Sequence, residues 1–106
     1  MHFDILITRH DGLKEFLAAE GHTWDEVITH VTDPSALERK DVCGILPLHM
    51  ACLCCSYTEL HLDIPAEMRG KELTEEQTRE YARGLKTYVV FLQEHFREFE
   101  RFIRER

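Results

Sequence analysis

Phe3-Asp4-Ile5-Leu6-Ile7-Thr8-Arg9-His10-Asp11-Gly12 is the stretch that decides how the rest of this sequence is read. Phe3 to Thr8 is short, apolar and β-branched, the pattern of a mostly buried strand. It ends in Arg9, His10 and Asp11, after which Leu13, Phe16 and Leu17 recur at helical spacing. Asp11 stands where a side chain can cap that helix, and Gly21 where a left-handed residue can end it. A strand feeding at once into a helix is the first half of a βαβ unit.

Working outward, Glu26-Val27-Ile28-Thr29-His30-Val31 follows Trp24 as a second strand. The Asp33-Pro34-Ser35 break and a short charged segment, Ala36 to Lys40, lead to a third run, Val42 to Leu46. Pro47 stops that run, and Leu48-His49-Met50-Ala51-Cys52-Leu53 is apolar on nearly every side, which predicts a well-buried helix. A fourth strand, Glu59 to Ile64, ends at Pro65. Alternating strand and helix imply an α/β fold, a small Rossmann-like parallel sheet of about four strands flanked by helices.

Beyond Gly70 the pattern changes. Thr74 and Gln77 have capping-box spacing, with Glu75 and Glu76 suited to a helix N-terminus. Tyr81, Leu85, Tyr88, Val89, Leu92, Phe96, Phe99 and Ile103 follow at steps of three and four. They predict a long amphipathic C-terminal helix over about 74–104, within a single domain spanning 1–106. Such a helix is longer than so small a domain needs, and its far end calls for a partner, most simply a second copy of the chain. The alternative is a fifth strand at Thr87-Tyr88-Val89-Val90-Phe91, after Gly84.

With 106 residues the chain is long enough for one core of its own. Its formal charge of −7 argues against a surface for long nucleic acid, but leaves room for a small pocket with a few focused cations. No run approaches the ~20 apolar residues of a membrane span, and Asp4 interrupts any signal-peptide core, so a cytoplasmic chain without membrane contact is expected. Cys43, Cys52, Cys54 and Cys55 then read as thiols. The Cys52-x-x-Cys55 spacing falls within the expected buried helix, where small hydrophobes are the plainer role.

In an open parallel sheet, ligands bind at the carboxyl ends of the strands. Those ends deliver Thr8-Arg9-His10, Thr29-His30, Pro47-Leu48-His49 and Asp63. Polar residues follow strands in any fold, but Arg and His here outnumber the usual Ser, Asn and Gly. They suit an anion, with helix N-termini supplying N–H groups. His49 and Cys52 could share a helix face, yet zinc needs three or four ligands and the remaining histidines lack diagnostic spacing, so no metal and no cofactor is expected. Walker, dinucleotide, nucleophile-elbow and zincin motifs do not occur in the sequence.

Four segments carry a family likeness: Ile7-Thr8-Arg9-His10-x-Gly12, the Asp33-Pro34 step, Gly44-x-Leu46-Pro47-Leu48-His49-x-Ala51, and Leu62 to Thr74. Together, over about residues 3 to 85, the chain resembles the small stand-alone CRISPR-associated family called Csx-sixteen, found beside type III systems. The resemblance implies a fold like the Rossmann-like domains that sense cyclic oligoadenylates. It further implies a metal-independent ring nuclease, a homodimer that binds cyclic tetra-adenylate across its two-fold axis and cuts it. On that reading Arg9 meets phosphate charge and His10 or His49 does acid–base work. Thr8, Thr29, His30, Pro47, Leu48 and Asp63 line the ligand, and Arg69 and Lys71 close over it from a loop.

Overall fold

In the computed structural model, which describes residues 1–104, the opening run forms β1 (His2–Ile7) and passes through Thr8-Arg9-His10 into α1 (Asp11–Ala19). Next come β2 (Thr23–Ile28), a 3-10 turn at Pro34–Leu37, β3 (Asp41–Cys43) and α2 (Leu48–Ala51). The chain continues through β4 (Ser56–Leu62), a 3-10 turn at Ala66–Met68, α3 (Glu75–Tyr81) and β5 (Ala82–Tyr88). A 3-10 turn at Gln93–His95 precedes the final helix, α4 (Phe96–Arg104). The fold is mixed α/β around one five-stranded sheet of order β2-β1-β3-β4-β5, parallel except for β5, which runs antiparallel to β4.

Register explains why the central strands are apolar throughout. Ile5 pairs with Val42 and Val42 with Tyr57, so the three stand abreast on one face, packed with Leu37 and Ala51. One residue on, Leu6, Cys43 and Thr58 stand abreast on the other face, where Leu6 and Cys43 meet Phe16 and Leu17 of α1. All six strand residues are buried. A strand covered on both faces cannot alternate polar with apolar.

The thiol of Cys43 lies in this core, and burial pushes it from 9.0 up to about 12; burial likewise raises Cys54 to about 11. A raised thiol keeps its proton in the folded chain at a pH where the unfolded chain releases it. Its contribution is therefore complete below about pH 9 and lost as pH climbs toward the folded value. Cys43 alone makes the slope roughly 1.4 kcal/mol per pH unit in that window. Urea midpoints are expected to fall from pH 9 to 11, with Cys43→Ala flattening the decline. An equal decline in that variant would locate the cause elsewhere.

Several expectations need correction. Strand β2 starts at Thr23, not Glu26, because pairing with β1 begins at His2↔Thr23; Thr29 and His30 consequently fall in the bend after it. Strand β4 is Ser56–Leu62 rather than Glu59–Ile64. The segment after Pro47 is no buried helix: α2 is a single turn in which Leu48 and His49 are exposed and Ala51 alone is buried. Cys52 is half-buried and Cys55 exposed, so that pair does not act as buried small hydrophobes; the buried thiols are Cys43 and Cys54. Asp11 is the first residue of α1, paired with Lys14, and His10 occupies the cap position without a side-chain hydrogen bond.

The largest correction is in the C-terminal half, where the sheet has a fifth strand and 74–104 is not one helix. Thr74 and Gln77 do form the expected capping box at the start of α3. Yet α3 ends at Tyr81, and the Asp63 N–H donates to the Tyr81 carbonyl at 2.9 Å. The chain thus re-enters the sheet at its carboxyl edge and can only run back antiparallel to β4. Leu85 pairs with Leu60 and Thr87 with Thr58, the two threonine hydroxyls 2.8 Å apart. The strand is Ala82–Tyr88, so only Thr87 and Tyr88 of the alternative Thr87–Phe91 run lie in it; what the segment gains is hydrogen bonding to the open edge of β4.

Of the expected 74–104 helix, α3 and α4 remain, and α4 packs mainly on the 93–95 turn, in a molecule of 45 × 25 × 24 Å. The side chain of Phe99, with Glu105 and Arg106 of the charged tail, lies outside the described residues. Among the described residues no helix is long and apolar enough to cross a membrane.

Candidate functional site

The strand order reverses between β1 and β3: β2 lies on one side of β1, while β3, β4 and β5 extend on the other. Loops leaving the two central strands therefore part in opposite directions and open a crevice at the carboxyl edge. A cavity of about 520 Å³ occupies that place. Six of the residues expected there line it: Thr8, Arg9, His10, Thr29, His30 and Pro47. Ile7, Leu46 and Met50 supply apolar wall.

Backbone bonds hold this rim in shape. The N–H of Thr8 donates to the Ile28 carbonyl at 3.1 Å, tying the exit of β1 to the end of β2. Buried Thr8 turns its hydroxyl back to accept the His10 N–H at 3.0 Å, which fixes the bend that carries Arg9. On the β3 side, Gly44 lies so close to β1 that a Cβ would fall 2.6 Å from the Ile7 carbonyl oxygen. The Leu46 N–H then donates to the Tyr57 hydroxyl at 2.9 Å, and that hydroxyl donates to Glu59 Oε2 at 2.6 Å. Burial, and the Glu59 carboxylate beside it, push the Tyr57 phenol above its ordinary range, so it stays protonated as the anchor of the 44–47 loop.

The two edges of the sheet differ in their polar groups. At the amino edge Asp4 accepts the Asp41 N–H and Asp41 accepts the Ser56 hydroxyl, each at 2.8 Å. Those carboxylates fasten neighbouring strands together. At the carboxyl edge the side chains of Arg9, Thr29 and His30 have no hydrogen-bond or ion-pair partner among the described residues. A guanidinium, a hydroxyl and an imidazole facing one cavity without partners are donors available to an anion.

The structure does not gather the whole expected set. His49 is exposed on α2 and lines neither this cavity nor the next, and Leu48 beside it is 74% exposed. Asp63 lies 3.7 Å from Arg83 on β5 and pairs with no histidine among the described residues. Arg69 is exposed after the 66–68 turn, while Lys71 lines a second cavity of about 560 Å³. Glu72 was not foreseen. Its Oε1 lies 3.7 Å from His10 Nδ1, beyond hydrogen-bond length but within reach of an ion pair when the ring is protonated. No local pattern announces a contact between residues 62 positions apart; the only signal was that both sit in motif segments.

Comparison with known proteins gives one family. The model of the family described as "Putative CRISPR-associated protein (Cas_VVA1548)" matches residues 5–91, from within β1 to just past β5, with every residue that lines the two cavities. No curated protein and no solved structure matches the chain.

Proposed function

The chain belongs to the CRISPR-associated family Cas_VVA1548, and from that premise we propose that it is a ring nuclease of the Csx-sixteen kind. It binds cyclic tetra-adenylate, the second messenger of type III CRISPR systems, and cleaves it to linear di-adenylate, switching the antiviral signal off. The fold is Rossmann-like in the manner of cyclic-oligoadenylate sensors, and the working unit is a homodimer in the cytoplasm. One observation carries the reading: Arg9, Thr29 and His30 face a single cavity at the strand-order reversal, their donors uncommitted.

A cyclic tetranucleotide has four phosphates and needs focused donors rather than a basic surface, in keeping with a chain of net charge −7. RNA brings its own nucleophile, the ribose 2′-hydroxyl. The protein has to hold that oxygen in line with phosphorus, spread the developing charge and manage two protons. Arg9 takes the charge, and Thr8 and Thr29 fix the bend and the sugar–phosphate. His10, its other nitrogen facing Glu72, accepts the 2′-hydroxyl proton as that oxygen bonds to phosphorus, and returns a proton to the 5′-oxygen as its bond to phosphorus breaks. Cleavage leaves a 2′,3′-cyclic phosphate and a free 5′-hydroxyl. His49 enters this scheme only across a subunit seam, because within one chain it stands outside the cavity.

The test is to incubate the protein with cyclic tetra-adenylate in EDTA and separate the products. Linear di-adenylate ending in cyclic phosphate is expected, with His10→Ala slower by roughly 100-fold or more while still binding. Tight binding without product would leave a sequestering module. An adaptor reading also has an observation behind it, since Val89, Leu92, Phe96 and Ile103 are 45–60% exposed along the tail. In the proposed homodimer those side chains are the natural contact between copies.

A further inference from the structure

We infer that the second cavity is a nucleobase subsite, holding one adenine of the ligand whose phosphate lies at Arg9; the inference rests on the proposed ring-nuclease reading. The two cavities share His10, Leu13 and Ile45, so they are adjoining halves of one cleft with His10 on the divide. Their chemistry differs. The first presents Arg9, His10, Thr29 and His30, whereas the second is walled by Leu62, Ile64, Met68 and Leu73, with Lys71 and Glu72 as its charged residues.

A phosphate moved into the apolar half would lose hydration without matching donors, at a large cost. A flat, neutral heterocycle gains there: its faces meet aliphatic side chains and the polarisable sulfur of Met68. Glu72 gives the subsite its edge preference. Oε1 is directed to His10, and Oε2 has no partner among the described residues and can accept from an exocyclic amino group. Adenine carries that donor, whereas the corresponding edge of uracil carries a carbonyl, which the carboxylate repels. Phosphate, proton exchange and base are thereby read by adjoining residues, and Glu72 touches both the base and the histidine.

The experiment measures affinity for cyclic tetra-adenylate and for cyclic tetra-uridylate, which has the same phosphates and other bases, in the wild-type protein, Met68→Trp and Glu72→Gln. Wild type is expected to favour the adenylate at least tenfold. Met68→Trp fills the cavity and should lower adenylate affinity about tenfold while leaving the uridylate within twofold. Glu72→Gln should narrow the preference, and it decides alone if the tryptophan variant does not fold. Equal wild-type affinity for both rings, or losses that follow both rings equally, would overturn the subsite and leave phosphate recognition standing. No binding of either ring by folded wild-type protein would overturn the ring-nuclease reading and this inference with it.

Discussion

Arg9→Ala is expected to lower affinity for cyclic tetra-adenylate by roughly 100- to 1,000-fold, with stability changed by no more than about 0.5 kcal/mol. Charge-assisted hydrogen bonds to phosphate are worth about 1.5–3 kcal/mol each, and a two-fold symmetric complex loses both copies together. Stability should hold because Arg9 is exposed and has no ion-pair partner among the described residues. The cation faces the cavity and does nothing else for the fold. Arg9→Lys should recover part of the affinity but not the forked geometry, which an ammonium cannot supply. Isothermal titration with thermal unfolding of the same samples separates the two effects. Unchanged affinity in Arg9→Ala would remove the central cation from the scheme, and with it the case for an anion at this edge.

The cavity's six expected residues were legible in the sequence for one reason: they immediately follow β1 and β2, or precede α2, so strand order alone brings them together. Thr8-Arg9-His10 needs nothing beyond the end of an apolar run. Residues placed by longer-range geometry were not legible. Asp63 was aligned with the site by assuming that β4 ended there, but β4 stops at Leu62, and Asp63 turns toward a strand the sequence reading did not favour. His49 follows Pro47 by two residues, yet one turn of helix is enough to rotate it out of the cleft.

The fifth strand shows the same limit. From Tyr81 to Leu92 the apolar residues satisfy a helical period and, over Thr87–Phe91, a β-branched strand as well. Tertiary pairing arbitrated: β4 needed a partner on its open side, and Leu85, Thr87 and Tyr88 matched Leu60, Thr58 and Tyr57 in register. Periodicity describes one element at a time and carries no information about a neighbour's unpaired edge. α4 lies beyond that competition, and there the helical pattern prevailed.

Gly12→Ala is expected to destabilise the fold by about 3 kcal/mol, the upper end of overpacking costs, and to lower the melting midpoint by roughly 15 °C. Helix propensity alone predicts the opposite sign, because alanine in a helix is favoured over glycine by about 1 kcal/mol. Space decides. A Cβ on Gly12 would fall 2.2 Å from the Leu73 carbonyl oxygen and 2.9 Å from the Thr74 carbonyl carbon, so α1 must withdraw from the start of α3. Those backbone atoms have little freedom to yield. Thr74 and Gln77 close a capping box, and the Thr74 carbonyl accepts both the N–H and the hydroxyl of Thr78, at 2.9 and 2.8 Å. Withdrawal would carry His10, the residue capping α1, away from Glu72, which immediately precedes Leu73. The variant should therefore lose preference for adenine over uracil rings before it loses phosphate binding, at temperatures where it is still folded. A melting midpoint equal to or above wild type would mean that α1 and α3 do not meet at Gly12, and the wall between the two cavities would have to be redrawn.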